Sequence, residues 1–309
     1  MKRIFIIACL AVSAMSGYAQ QDVLLSQYMF NQLLINPAYA GTKEYMMATL
    51  LYRNQWVNWD NAPTTQVASL HGPLGVSNFG WGGLIAHDHE GVTDRTDFYA
   101  NASYHIQLNQ KLKLSFGLRA GGAYWVRHNS DLIYWDKNDP VFAGNRTSSF
   151  EPNAGAGVFL YSNRFYAGLS DPEVISYDPT TSLSLTPSSI TTPHQVRHYF
   201  LTSGYAFPVS ADVVLKPSIL VKYVADAPVE GDFNLNALFY NVLWLGGSYR
   251  TGDAFVAIVE VQLTKQWRLG YSYDFTTTDI RNYSNGSHEI SLGYDFGYDI
   301  QKMKTPRYF

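Results

Sequence analysis

Near the end of the chain stands Ile290-Ser291-Leu292-Gly293-Tyr294-Asp295-Phe296-Gly297-Tyr298-Asp299-Ile300, and its reading decides the fold. Ile290, Leu292, Tyr294, Phe296, Tyr298 and Ile300 are all apolar or aromatic, whereas the residues between them are all small or acidic. Successive side chains of a strand point to opposite faces, so one face here is greasy and the other wet. Bulky rings suit contact with lipid, and acids recurring on the opposite face suit a polar interior.

The same alternation runs upstream. Phe98, Ala100, Ala102, Tyr104, Ile106 and Leu108 alternate with Tyr99, Asn101, Ser103, His105 and Gln107. Leu112, Leu114, Phe116, Leu118 and Ala120 alternate with Lys113, Ser115, Gly117, Arg119 and Gly121. Segments around 255–263 and 267–275 repeat it. A soluble sandwich alternates too, but its strands run to about 5–6 residues. The segments here are about 9–14 residues long, as a tilted membrane crossing requires, and they carry Tyr, Phe and Trp near their ends. Fourteen segments are legible: 45–56, 64–74, 79–87, 96–108, 112–127, 153–162, 164–170, 196–206, 213–224, 232–240, 242–250, 254–263, 266–276 and 287–300. Even-numbered connections are mostly tight, as at Asn109-Gln110-Lys111, Asn163, Asn241 and Thr264-Lys265. Odd-numbered ones are mostly longer, and two of them span 127–152 and 171–195. The pattern predicts an all-β protein, a transmembrane antiparallel β-barrel of about 14 strands (12–16), with short turns at one end and long loops at the other. An even count closes the sheet without an edge, which hydrocarbon demands because it cannot satisfy free N–H and C=O groups.

Composition agrees. Charged residues are only 15 % of the 309, while aromatics reach 15 %, so the chain can bury extensive apolar surface and is not a disordered polymer. A net charge of −3 gives no footprint for nucleic acid. Met1-Lys2-Arg3 followed by an apolar run from Ile4 to Met15 and by Gly17-Tyr18-Ala19 reads as an export signal cleaved after residue 19. The single cysteine, Cys9, leaves with it, so the exported chain has no thiol. Cys9 also sits in a box resembling a lipoprotein cleavage site, but the apolar run before it is too short. The expected organisation is a signal over 1–19, a non-strand segment over 20–44 that is periplasmic or packs in the lumen, the barrel over 45–300, and a periplasmic basic and aromatic tail over 301–309. No later stretch is long and apolar enough for a helical span.

Catalytic and metal signatures are weak. His87-Asp88-His89-Glu90 is the densest cluster of potential ligands, yet a polar loop after the third strand explains it as simply. His128, Ser130 and Asp131 are the residue types of a triad, but triad geometry is spatial, and a solvated loop is the plainer reading. No phosphate-binding loop, nucleophile elbow or zinc-helix motif occurs. Gly80, Gly82, Gly83, Gly155 and Gly157 lie in strand patterns, where they permit bending or close packing. No catalytic residue, metal or cofactor is expected.

Two local patterns remain. Ser291-Leu292-Gly293-Tyr294-Asp295-Phe296-Gly297-Tyr298 fits the polar-x-Gly-x-x-aromatic-x-aromatic ending by which outer-membrane barrels are read for assembly, with Ser291, Gly293, Phe296 and Tyr298 as its determinants. At the other end, Leu24, Leu25, Tyr28, Met29, Gln32 and Leu33 have roughly helical spacing, Asn36-Pro37 breaks any helix, and Gly41 marks a turn. This apolar segment has the composition to plug the lumen or pack beneath it. Ser26-Gln27-Tyr28-Met29-Phe30-Asn31 and Ile35-Asn36-Pro37-Ala38-Tyr39-Ala40-Gly41 together resemble the opening hallmark of the PorP/SprF family, outer-membrane proteins of the type IX secretion and gliding machinery of Bacteroidota. The resemblance extends through Trp56, the run 155–158, the run 166–172 and the aromatic C-terminus. It implies a non-enzymatic protein of the outer membrane that holds a secreted adhesin through its C-terminal sorting domain. The alternatives are a core component joined to periplasmic ring lipoproteins and a peptidoglycan-binding partner, or a passive porin. Ser26, Gln27, Tyr28, Asn31, Asn36, Pro37, Ala38, Tyr39 and Gly41 are then the residues to follow, as contacts for a partner or for packing in the lumen.

Overall fold

Charged side chains are buried and large apolar ones exposed, the inverse of a water-soluble protein. The computed structural model describes residues 25–75, 77–128, 146–175, 197–225 and 227–297. The export signal, Ser130, Asp131, Tyr298 and the 301–309 tail lie outside the described residues. Three short 3-10 turns come first, at Tyr28–Phe30, Gln32–Leu34 and Pro37–Tyr39. The strands are β1 Met47–Asn54, β2 Thr64–Pro73, β3 Phe79–Glu90, β4 Thr93–Gln107, β5 Lys113–His128, β6 Arg146–Tyr161, β7 Phe165–Asp171 and β8 His198–Tyr205. They continue with β9 Phe207–Pro208, β10 Val213–Val224, β11 Glu230–Phe239, β12 Leu243–Arg250, β13 Ala254–Gln262, β14 Trp267–Thr276 and β15 Ser287–Asp295. Among the described residues no helix is long and apolar enough to cross a membrane.

All pairings are antiparallel between chain neighbours, and β1 pairs β15 from Met47↔Asp295 to Asn54↔His288, so the sheet closes. β8 and β9 both lie along β10 and make one stave interrupted at Ala206. The result is a closed barrel of 14 staves. β1 begins and β15 ends at the same rim, called here the turn end; the opposite rim is the loop end.

The alternation read from the sequence sorts as a two-faced wall. In β15, Ser287, Glu289, Ser291 and Asp295 point inward and are buried, while Ile290 faces out at 52 % exposure. In β5, Ser115, Gly117 and Arg119 point inward, and Phe116 and Leu118 outward. Rings collect at both rims of the outer wall. Phe79 pairs with Tyr104 and Trp267 with Tyr294 at the turn end, while Tyr249 pairs with Phe255 and Tyr273 with Phe275 at the loop end. Such girdles sit at membrane–water interfaces.

Three boundaries differ most from the sequence reading. β3 runs through His87-Asp88-His89-Glu90, and only Gly91-Val92 separate it from β4, so this cluster is strand and not loop. β6 starts at Arg146 and not at 153, because cross-strand pairing with β5 continues from Tyr161 to Arg146. Sorting of connections by parity is therefore incomplete: 91–92 and 251–253 are tight turns at the loop end. The last strand stops at Asp295, and Gly297 adopts φ +67°, a turn conformation that ends the extended run.

Candidate functional site

The opening segment does not join the sheet. It has no period-two alternation, and Pro37 has no N–H to give to a ladder. Asn36 starts the Pro37–Tyr39 turn: its side-chain oxygen accepts from the Ala38 N–H at 2.9 Å, and proline follows at the first position of the turn. Folded this way, residues 25–40 lie inside the barrel and are almost wholly buried.

At the loop end the segment is clamped by charges. The two carboxylate oxygens of Glu289 accept from the Ser26 and Gln27 N–H groups, each at 2.8 Å. The Ser26 hydroxyl donates to Asp274 at 2.8 Å, and Arg53 and Arg250 donate to that hydroxyl at 3.0 and 3.3 Å. Arg53 in turn pairs with Asp274 at 2.7 Å and Glu289 at 3.2 Å, and Arg250 pairs with Asp232 at 3.2 Å. These charges are buried yet paired and hydrogen-bonded, the condition under which a low-dielectric interior tolerates them. Gln27 adds a bond from Ser291 at 2.7 Å.

Midway, the Asn234 amide donates to the Tyr28 hydroxyl at 2.6 Å, and the Asn31 amide donates to Ser69 at 2.7 Å. Arg119 donates to the Leu33 and Leu34 carbonyls and to Asn101, holding the middle turn of the segment against the wall. Ser170 donates to the Ile35 carbonyl at 2.6 Å. Tyr39 is wedged between His71 and Phe159, with ring centroids 5.2 and 5.6 Å away. Toward the turn end, Ser103 donates to the Ala40 carbonyl at 2.6 Å. Gly41 takes φ +70°, and a Cβ there would meet the backbone of Gly80, so both conformation and space restrict this position to glycine.

The wall makes room with a track of inward glycines. A Cβ on Gly80 would strike the Ala40 carbonyl, one on Gly117 the Ala38 backbone, one on Gly157 the Asn36 side chain, and one on Gly270 the Gln27 side chain. Sequence reading placed glycines in strands but not against this segment. The available signal was their inward parity: Gly80, Gly117 and Gly270 each take a place in the wet set of their strand.

The structure thus brings Ser26, Gln27, Tyr28, Asn31, Asn36, Pro37, Ala38, Tyr39 and Gly41 together in one place, the lumen. Ser291 and Gly293 also face the lumen, Gly293 beneath the Arg268 guanidinium, while Phe296 lies just past β15 on the outer side. His87 and His89 are elsewhere. They face outward above the apolar belt, beside Asp94 and His128: His89 Nδ1 and His128 Nε2 lie 2.6 and 2.8 Å from the Asp94 carboxylate. Among the described residues no group of three or more His, Cys, Asp or Glu is arranged to hold a metal. At the turn end a crevice of about 40 Å³ opens between the segment and the wall, lined among others by Lys43, Tyr45, Lys216, Glu260, Arg268 and Asp295.

Residues 17–294 match the family described as "Type IX secretion system membrane protein PorP/SprF". The chain belongs to the PorP/SprF family. A PorP/SprF protein with this fold resides in the outer membrane, and its wall has the shape of known outer-membrane channels. The Ralstonia pickettii toluene transporter TbuX superposes with a TM-score of 0.50 at 9 % identity, over 85 % of this chain and 92 % of that one. The CymD monoaromatic hydrocarbon channel gives 0.46 at 13 % identity, over 93 % and 97 %. At such identities the likeness concerns the fold alone. No curated protein matches the chain. The family and the structural neighbours of this PorP/SprF protein are secretion, porin and transport proteins.

Proposed function

We propose that this PorP/SprF protein is a surface anchor of the type IX machinery and not a conduit. The observation that carries the reading is the occupied lumen: a segment of the chain itself fills it, tied at both ends and seated on glycines that leave it no slack. Opening a path would require breaking the buried hydrogen bonds that Glu289, Asp274 and Arg119 make to the segment, each about 1.5–3 kcal/mol for a bond to a charged group. Transport would have to supply that cost at each passage, whereas an anchor needs only a rigid frame. The barrel fixes the protein in the bilayer, and its loop face holds a secreted partner through that partner's C-terminal sorting domain. The work is binding, with no bond made or broken.

Affinity capture from detergent-solubilised outer membranes tests this. Recovery of a large secreted adhesin is the expected result. Recovery of periplasmic lipoproteins alone would favour the core-component reading, for which the charged crevice at the turn end is the supporting feature. The porin reading predicts ion conductance in planar bilayers; the intact protein is expected to stay closed.

A further inference from the structure

The opening segment runs through the lumen in a definite direction. Its Ser26-Gln27 end is held by Arg53, the penultimate residue of β1, by Glu289, the third of β15, and by Asp274, the third from last of β14. Arg250, which also reaches Ser26, is the last residue of β12. All four positions lie within a few residues of the loop end. Its Ala40-Gly41 end meets Ser103, His105, His71 and Gly80, which lie at the turn-end portions of β4, β2 and β3. The Ser26-Gln27 end of the segment therefore stands at the loop end, and the chain behind Gly41 returns at the turn end to start β1.

We propose that the mature amino terminus is displayed on the loop face, at the cell surface, on the side of the membrane opposite the turns. In an outer-membrane barrel the short turns and the strand-entry rim face the periplasm, so the loop rim faces out. Removal of the export signal after Ala19 leaves residues 20–24 ahead of Leu25. From Ser26 the rim is only about one to three residues away at roughly 3.3 Å each. The polypeptide thus traverses the bilayer plane once through the lumen in addition to its 14 staves. The direction also constrains assembly. Glu289 of β15 and Arg53 of β1 flank the seam where the sheet closes, and both hold Ser26. The segment must be drawn up to the loop end before or as that seam closes, because afterwards the ring of charges surrounds it.

Single cysteines test the direction, since the mature chain carries no thiol once Cys9 is removed with the signal. Gln21→Cys reports the amino terminus, Asn282→Cys the loop end and Lys111→Cys the turn end, with the wild-type chain as blank. Gln21→Cys is expected to react with a membrane-impermeant maleimide on intact cells, as Asn282→Cys does. Lys111→Cys is expected to react only after the outer membrane is permeabilised. Reaction of Gln21→Cys only after permeabilisation, or only after denaturation, overturns the proposal, as does protection of Asn282→Cys with labelling of Lys111→Cys. Heat-modifiable migration verifies that each variant is folded, and Asp22→Cys gives a second reading if Gln21→Cys is poorly exported. The labelling does not depend on any partner, so it succeeds or fails independently of the anchoring function.

Discussion

At the scale of single residues, the lumen is governed by side chains that have one acceptable partner set. Arg119 is buried and serves three acceptors, Asn101 and the Leu33 and Leu34 carbonyls. Arg119→Met fills similar volume but leaves those carbonyls unsatisfied, at about 1–3 kcal/mol each. The expected result is a clear fall in the temperature at which the folded, fast-migrating form is lost on gels; an unchanged temperature would show that Arg119 does not secure the segment. Gly117 is a different case, because a side chain there collides with the Ala38 backbone and not with a yielding tip. Gly117→Val is expected to destabilise by at least the roughly 1–3 kcal/mol of ordinary overpacking. The same substitution at Gly83, which has open space around its Cβ, should be nearly silent in the same assay. The Asn36-Pro37 pair was legible in the sequence as a stop signal, since capping is local. That Asn36 also donates to the Val158 carbonyl, across 122 positions of chain, was not.

At the scale of elements, the wall and the plug obey different rules. Leu118 sits on the lipid face of β5 with 68 % of its surface exposed, one residue from Arg119, which faces the lumen. Leu118→Arg should cost about 2–4 kcal/mol if it lies near the bilayer midplane. The measurement is the yield of folded barrel in outer-membrane fractions; equal yields for Leu118→Arg and wild type would contradict the assigned membrane face. The plug is tested by deleting residues 26–41. The expected outcome is a barrel that conducts ions in planar bilayers, with its buried charges left to water; a closed deletion variant would mean that the loops alone seal the lumen. Strand identity was readable because alternation is a local property. Strand ends were not: β6 extends to Arg146 because β5 supplies hydrogen-bond partners that far.

At the scale of the whole molecule, closure is the decisive property. Outward-facing Ala48 and Tyr294 are opposite one another across the β1–β15 seam. Opposed residues of an antiparallel pair have Cα atoms about 4.5–5.5 Å apart, within reach of a disulfide. The double variant Ala48→Cys/Tyr294→Cys, in a chain whose one natural thiol, Cys9, lies in the predicted export signal, should crosslink on mild oxidation and lose its shift to the fully extended form on boiling. Failure to crosslink in a folded sample would place the seam elsewhere. Closure also explains why so many charges can face inward: with no edge to satisfy and lipid outside, the inner face is the place where polar side chains find polar partners.

By itself the sequence determined a closed wall of about 14 crossings, because lipid on one face and a polar lumen on the other impose a choice at every second residue. It also predicted a non-strand opening segment, and the described residues 25–44 do stand outside that wall, because proline and lost alternation are local facts. Only the tertiary structure decided what fills the barrel and in which direction the filler runs. Those contacts join residues as far apart as Ser26 and Glu289, and nothing in the local chemistry of either names the other. The partnership exists only after the sheet has closed and brought both ends of the chain to one seam.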